Sequence, residues 1–206
     1  AAIAIRQITR KNCRRFILSG FQWAKKYNLK KMTGITKRNI LKKTDGIFWE
    51  ELENCQKEFP NMELEEIYID NMSQQLVINP EQFNNSVLLS TNLFMDIISE
   101  LASGIVGSIG LIYSANMGDS FAMFEAAHGS APSIAGQNKA NPTATILAGA
   151  WMAEYLGESD IKNAIFSATE QVINENKATT SDIGGSAGTT QMTDAIVVYA
   201  KQKLRR

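Results

Sequence analysis

Along the first hundred positions the apolar residues fall into short continuous runs separated by longer, spaced stripes. Cys13, Phe16, Ile17, Gly20, Phe21, Ala24 and Tyr27 recur at helical spacing, which predicts an amphipathic helix from Thr9 onward. Residues 2–8 ahead of it read as a strand, as do Lys31–Thr36, residues 64–69 and Ser86–Ser90. Between these lie a helix with Phe48, Leu52, Cys55 and Phe59 on one stripe, a short helix over 71–78 stopped before Pro80, and a helix holding residues 96–102. Thr44 and Asp45 are the candidate N-caps of the Phe48 helix. Regular alternation of strand and helix predicts an α/β fold with a largely parallel sheet.

The texture changes after about residue 103. Gly104, Gly107 and Gly110 read as a helix end and turn, and residues 114–141 read as loop-rich. Asn141 and Pro142 then open a helix, with Asn as cap and Pro at the first helical position. This helix is expected to bury Ile146, Leu147, Ala150, Trp151 and Tyr155. Another covers 161–173, and a last one follows Thr190. A domain boundary is expected near residue 106.

Lys and Arg number 21 and so do Asp and Glu, so overall electrostatics give no reason to expect a nucleic-acid partner. No apolar run approaches the roughly 18 residues that a bilayer span needs, so no membrane partner is expected. Cys13 and Cys55 have no CxxC spacing and sit in helical patterns, which fits reduced thiols in an intracellular protein, of the cytoplasm or the mitochondrial matrix. The first residues show no signal-peptide pattern and resemble mid-strand sequence, as if the chain began partway through a fold.

Asp96 and Glu100 lie four apart on a predicted helix, so both carboxylates leave one face and repel unless water or a cation separates them. Asp70 follows a strand, where α/β ligands gather. Three such oxygen donors suit Mg²⁺ or Mn²⁺. On the residues alone, a solvated acidic helix face is the plainer reading. Lys37 follows an apolar strand, where desolvation would fit it for proton transfer, although basic residues at strand ends are common. His128 is the only histidine, and the small residues Gly129, Ser130 and Ala131 beside it would let the backbone approach a ligand closely. Alone it reads as an ordinary loop residue. The glycine run at 104–110 is not GxGxxG and joins no strand to a helix, so it is no dinucleotide fingerprint.

The stretches TKRNILKKTDGIFWEE, IDNMSQQLVINPEQF, TNLFMDIISELASGIVGSIGLIYSANMG, FEAAHGSAPSIAGQNKANPTA and TTSDIGGSAGT together resemble the isocitrate and isopropylmalate dehydrogenase family over nearly the whole chain, and most of all its NAD-dependent isocitrate enzymes. The resemblance implies a two-domain α/β isopropylmalate dehydrogenase-like fold without the Rossmann glycine fingerprint. Residues 1–106 would form most of the smaller, dimer-forming domain with the metal ligands. Residues 107–206 would form the C-terminal half of the larger, cofactor-binding domain, the N-terminal part of the fold being missing. It implies oxidative decarboxylation of isocitrate, or of isopropylmalate, with NAD and Mg²⁺ or Mn²⁺. The TDG of KKTDGIF favours isocitrate.

By the same resemblance Lys37 assists proton transfer and Asn39 lies near the nicotinamide. Asp70 and Asp96 bind the metal, with Glu100 as the third carboxylate. Glu125, His128, Gly129, Ser130, Ala131, Pro132, Ile134 and Asn141 hold the dinucleotide. Lys37 and Asp70 come from the neighbouring subunit, so a homodimer or a hetero-oligomer of related subunits is implied. NADP-using relatives carry Lys and Tyr at Ser133 and Ile134, and Tyr and Arg at Ser181 and Gly185, leaving no cation here for a 2′-phosphate.

Two departures stand out. Glu100 replaces the family's Asp with a side chain one methylene longer. The serine, arginines and tyrosine that handle substrate in the family's N-terminal half have no counterpart, which leaves strand edges uncovered and the chain prone to aggregate alone. A non-catalytic regulatory subunit is the alternative to a catalytic one. Retention of Lys37, Asp70 and Asp96 favours catalysis.

Overall fold

A computed structural model describes residues 1–205, which divide into two compact units, Ala1–Ala102 and the remainder from Ser103. The first unit runs α1 (Arg10–Lys26), β1 (Lys31–Thr36), α2 (Thr44–Gln56), β2 (Glu63–Tyr68), α3 (Ile69–Ile78), β3 (Ser86–Ser90) and the start of α4 (Asn92–Val106). The three strands form one parallel sheet in the order β2-β1-β3, with Ile35 level with Ile67 on one side and Ser90 on the other. Helices cover both faces, so five of the six β1 residues are buried, Thr33 and Thr36 among them. Met32 and Leu89 pack with Ile17, Phe21, Phe48 and Leu52 on one face. Ile35 and Ile67 pack with Met72, Leu76, Phe83 and Ile98 on the other. Gly34 lets α2 settle onto β1, since a Cβ there would stand 2.6 Å from Leu52 Cδ1.

Residues 2–8 form no strand. A strand exists only through a ladder of hydrogen bonds to a neighbour, and none of the three strands pairs with this segment. Ile3 and Ile5 are 91% and 92% exposed. Thr44 and Asp45 do not cap α2 either. Thr44 is already helical, Lys43 holds the cap position without a side-chain bond, and the buried Asp45 carboxylate is committed outside the helix. Cys13 and Cys55 are free, and burial pushes both thiols up, away from thiolate chemistry.

The second unit contains β4 (Tyr113–Met117), β5 (Ala122–Ala126), α5 (Thr143–Tyr155), α6 (Ser159–Glu175) and α7 (Thr189–Leu204). Strands β4 and β5 make an antiparallel hairpin closed by Gly118 N–H donating to Phe121 O at 2.9 Å. This corrects the expected loop over 114–141. The strand signal is carried by Tyr113 and Phe124, which each meet Trp151 of α5 edge-on at 5.7 Å, rather than by a long apolar run.

Helix α5 starts one residue later than expected. Pro142 takes the cap position, while Asn141 Oδ1 accepts from Thr143 N–H at 3.0 Å. Its fully buried residues are Thr143, Ala144, Ala148 and Ala150, and Tyr155 remains 49% exposed against Phe124. Val172 and Ala168 of α6 pack on Met192 and Ile196 of α7. No helix among the described residues is long and apolar enough to cross a membrane.

Candidate functional site

In the first unit the chemistry gathers where the parallel strands end, the usual ligand side of an α/β sheet. Chain direction alone explains this, because β1 and β2 run side by side and both release their next residues at the same edge. Lys37 follows β1, and Asp70 lies in the first turn of the helix after β2. Lys37 Nζ donates to Asp70 Oδ1 at 2.6 Å and stands 5.9 Å from the Tyr68 ring centroid. Lys37 is mostly covered while Asp70 is open to solvent. The lysine holds the Asp70 carboxyl below its usual value, helped by the N–H groups of Asp70 and Asn71 at the start of α3.

The turn carrying Lys37 is braced. Thr36 Oγ1 donates to Glu66 Oε1 at 2.7 Å, and Arg38 grips the same carboxylate through Nε at 3.0 Å and Nη2 at 2.6 Å. The paired bonds between two planar groups fix direction as well as distance. Asn39 is exposed on that turn.

Asp96 and Glu100 are both exposed on α4, and their spacing puts them on one face. All three acids offer the hard oxygens that Mg²⁺ or Mn²⁺ prefers. Among the described residues no three His, Cys, Asp or Glu side chains converge to hold a metal ion. One copy therefore presents the donor chemistry as two parts, Asp96 with Glu100 and Asp70 with Lys37.

The second unit holds a cavity of about 630 Å³, within the range of small-molecule and cofactor sites. Of the expected dinucleotide residues, His128, Gly129, Ser130, Ala131, Ile134 and Asn141 line it. Glu125, Pro132 and Asn39 do not. Glu125 instead accepts from Asn116 Nδ2 at 3.0 Å across the hairpin. Ala131 has φ 43°, the left-handed region that a side chain seldom adopts, at the centre of the loop rich in small residues.

Asp182 is a cavity residue to which the sequence assigned no role. Its Oδ2 accepts from Ser108 Oγ at 2.5 Å and from Asn141 Nδ2 at 3.0 Å. Desolvation pushes its carboxyl up, but the donors Ser108, Thr180 and Asn141 outweigh that and hold it below its usual value. Asn141 thus faces two ways, tied to Asp182 by its amide nitrogen and starting α5 with its oxygen. Gly110 makes room for this knot, since a Cβ there would stand 2.7 Å from Asn141 Cβ. The only signal in the sequence was the TTSDIGG stretch, which carried resemblance without an assigned part. Lys139 also lines the cavity, a cation that the four positions compared for cofactor choice do not include.

A family model described as isocitrate/isopropylmalate dehydrogenase matches residues 1–196. A 3-isopropylmalate dehydrogenase of Methanothermobacter thermautotrophicus is 42% identical over 93% of this chain and 57% of its own length. An Arabidopsis thaliana protein named isocitrate dehydrogenase [NAD] catalytic subunit 6, mitochondrial, is 43% identical over 94% of this chain and 51% of its own. The crystal structure of isocitrate dehydrogenase from Methylococcus capsulatus superposes with a TM-score of 0.93 at 44% identity, covering 98% of this chain and 60% of that one. The chain thus spans between half and three-fifths of the length of these relatives.

Proposed function

Since the chain belongs to the isocitrate/isopropylmalate dehydrogenase family of decarboxylating dehydrogenases, we propose that the protein containing it oxidises and decarboxylates isocitrate with NAD and a divalent metal. The observation that carries this reading is the 2.6 Å contact between Lys37 and Asp70 at the ends of adjacent parallel strands. An ammonium and an acidic oxygen sharing one spot would let a proton donor sit beside a cation-held substrate. Asp96 and Glu100, with Asp70 of a second copy, would hold Mg²⁺ or Mn²⁺. When bound, such an ion supplies positive charge that steadies the oxygen of the new carbonyl. NAD, when bound, supplies the two-electron acceptor.

In this scheme the hydroxyl-bearing carbon gives up a hydride to the dinucleotide, its hydroxyl proton passes to solvent, and it becomes a ketone. The carboxylate on the next carbon, β to the new carbonyl, leaves as CO₂, and its bonding pair passes into the enolate of that ketone. Lys37 would hold the proton that the decarboxylated carbon takes up. His128, Gly129, Ser130, Ala131 and Ile134 would shape the dinucleotide site, with Asn141 and Asp182 keeping its floor rigid. Ser133, Ile134, Ser181 and Gly185 offer no charge to a 2′-phosphate, which supports NAD. Lys139 is the residue that would soften that preference. Gly185 has no room for a larger side chain in this backbone, as a Cβ would lie 2.0 Å from Thr179 O.

Isopropylmalate is the second reading, favoured by the 42% identical relative of that name. The TDG stretch does not decide between them through contact, because Asp45 is only 1% exposed. Comparing kcat/KM for both acids, with each dinucleotide and Mg²⁺, tests the proposal. Isocitrate with NAD should be preferred, and Lys37→Met should lower kcat by about 10²–10⁴-fold, the usual span for a proton-transfer group. Turnover of neither acid would refute it.

A further inference from the structure

Asp45 is a buried carboxylate to which the scheme above assigns no part. Its side chain is 2% exposed, and both oxygens are occupied. Oδ2 accepts from the backbone N–H of Lys37 at 2.7 Å, and Oδ1 accepts from Arg6 Nη1 at 3.0 Å. The other arm of Arg6 donates to Thr91 Oγ1, and its guanidinium lies 5.1 Å from the Phe94 ring centroid. Thr91 is the single residue between β3 and α4, the helix that bears Asp96 and Glu100.

An ion this well covered is costly to keep unless each oxygen is satisfied, and it belongs to the first turn of α2 without capping that helix. Its partners are instead the Lys37 N–H at the end of β1 and Arg6, which in turn reaches Thr91 at the end of β3. Lys37 is gripped from both directions, by Asp45 at its backbone and by Asp70 at its ammonium. The otherwise irregular residues 2–8 are anchored here through Arg6.

We propose that the Arg6–Asp45 pair is a positioning device that clamps the Lys37 turn to the β3–α4 joint and so sets where the Lys37 ammonium stands. Asp45 touches no reacting atom and acts through Lys37. The inference rests on Lys37 being the proton-handling residue. Without Asp45 the turn would pivot about the Nζ–Asp70 bond, and displacement near 1 Å is enough to cost a catalytic group about 10²-fold. Substrate affinity would hardly change.

The test uses the complete protein containing this chain, with Asp45→Ala, Asp45→Asn and Arg6→Ala. Steady-state kinetics and hydrogen exchange at the Lys37 amide are measured together. Asp45→Ala should lower kcat by about 10–100-fold with KM within about threefold, the signature of lost transition-state geometry, and should speed Lys37 exchange. Asp45→Asn keeps an oxygen for the Lys37 N–H, so it should recover protection and most of kcat. Arg6→Ala should produce the Asp45→Ala pattern in weaker form, and it decides the matter if Asp45→Ala does not fold. Unchanged kcat and protection in the folded variants, or an Asp45→Asn no better than Asp45→Ala, would overturn the clamp. Should the wild type turn over no hydroxy-diacid, the proposed function fails, and Lys37 exchange in the same variants still decides whether the clamp exists.

Discussion

Asp70 and Asp182 show how single side chains in this protein acquire their character from what donates to them. Asp70 is exposed, so its lowered value reflects the lysine and the start of α3 rather than a stable buried pair. Asp182 is held low by three donors at the cavity wall. A carboxyl lowered in the folded state contributes stability that is fully present above its unfolded value, near ~4, and is lost as pH falls through the folded value. The melting temperature should therefore drop on acidification below about pH 4, and Asp182→Asn should flatten that acid limb. Scanning unfolding of both proteins from neutral to acid pH checks this; parallel curves would contradict it. Glu100 is one methylene longer than the acid its position resembles, and Mg²⁺ tolerates little error around ~2.0–2.1 Å. Glu100→Asp should tighten Mn²⁺ binding by about tenfold, at the lower end of what altering a metal's surroundings does. Calorimetric titration of the complete protein would show it, and equal or weaker binding would discard the argument.

Among the elements, the parallel sheet is the part whose packing is plainest. Leu52 is fully buried between α2 and β1, where Gly34 admits it. Leu52→Ala should cost about 2–5 kcal/mol in denaturant unfolding, and a loss below about 1 kcal/mol would mean that the helix does not seat as described. The same buried periodicity made β1, β3 and the helices between the strands legible from sequence. Residues 2–8 show its limit, since alternating apolar residues look like a strand whether or not another strand pairs with them. The β4–β5 hairpin escaped for the converse reason. Tyr113 and Phe124 earn their positions by meeting Trp151, a contact distant in sequence. In the candidate site, motif resemblance pointed to Lys37 and Asp70, which the fold brings together, and to the His128 loop, most of which lines the cavity. Asp45 and Asp182 were not legible in this way, because their roles depend on donors 41, 39 or 74 positions away that only folding brings near.

Taken as a whole molecule, the chain distributes its chemistry over two units: strand-end acids and a lysine in one, a cofactor-sized cavity in the other. Among the described residues no single cluster of three metal-ligating side chains forms, and the proposed metal centre takes Asp70 from a second copy. In the proposed function, carboxylates of this chain hold a divalent cation over which a hydroxy-diacid is both oxidised and decarboxylated. The most direct test measures NADH and CO₂ together during isocitrate turnover by the complete protein, with and without Mn²⁺, in wild type and Asp96→Asn. Equal amounts of NADH and CO₂ that require Mn²⁺ and disappear in Asp96→Asn are the predicted result. Turnover that ignores the cation, or that survives Asp96→Asn unchanged, would contradict it.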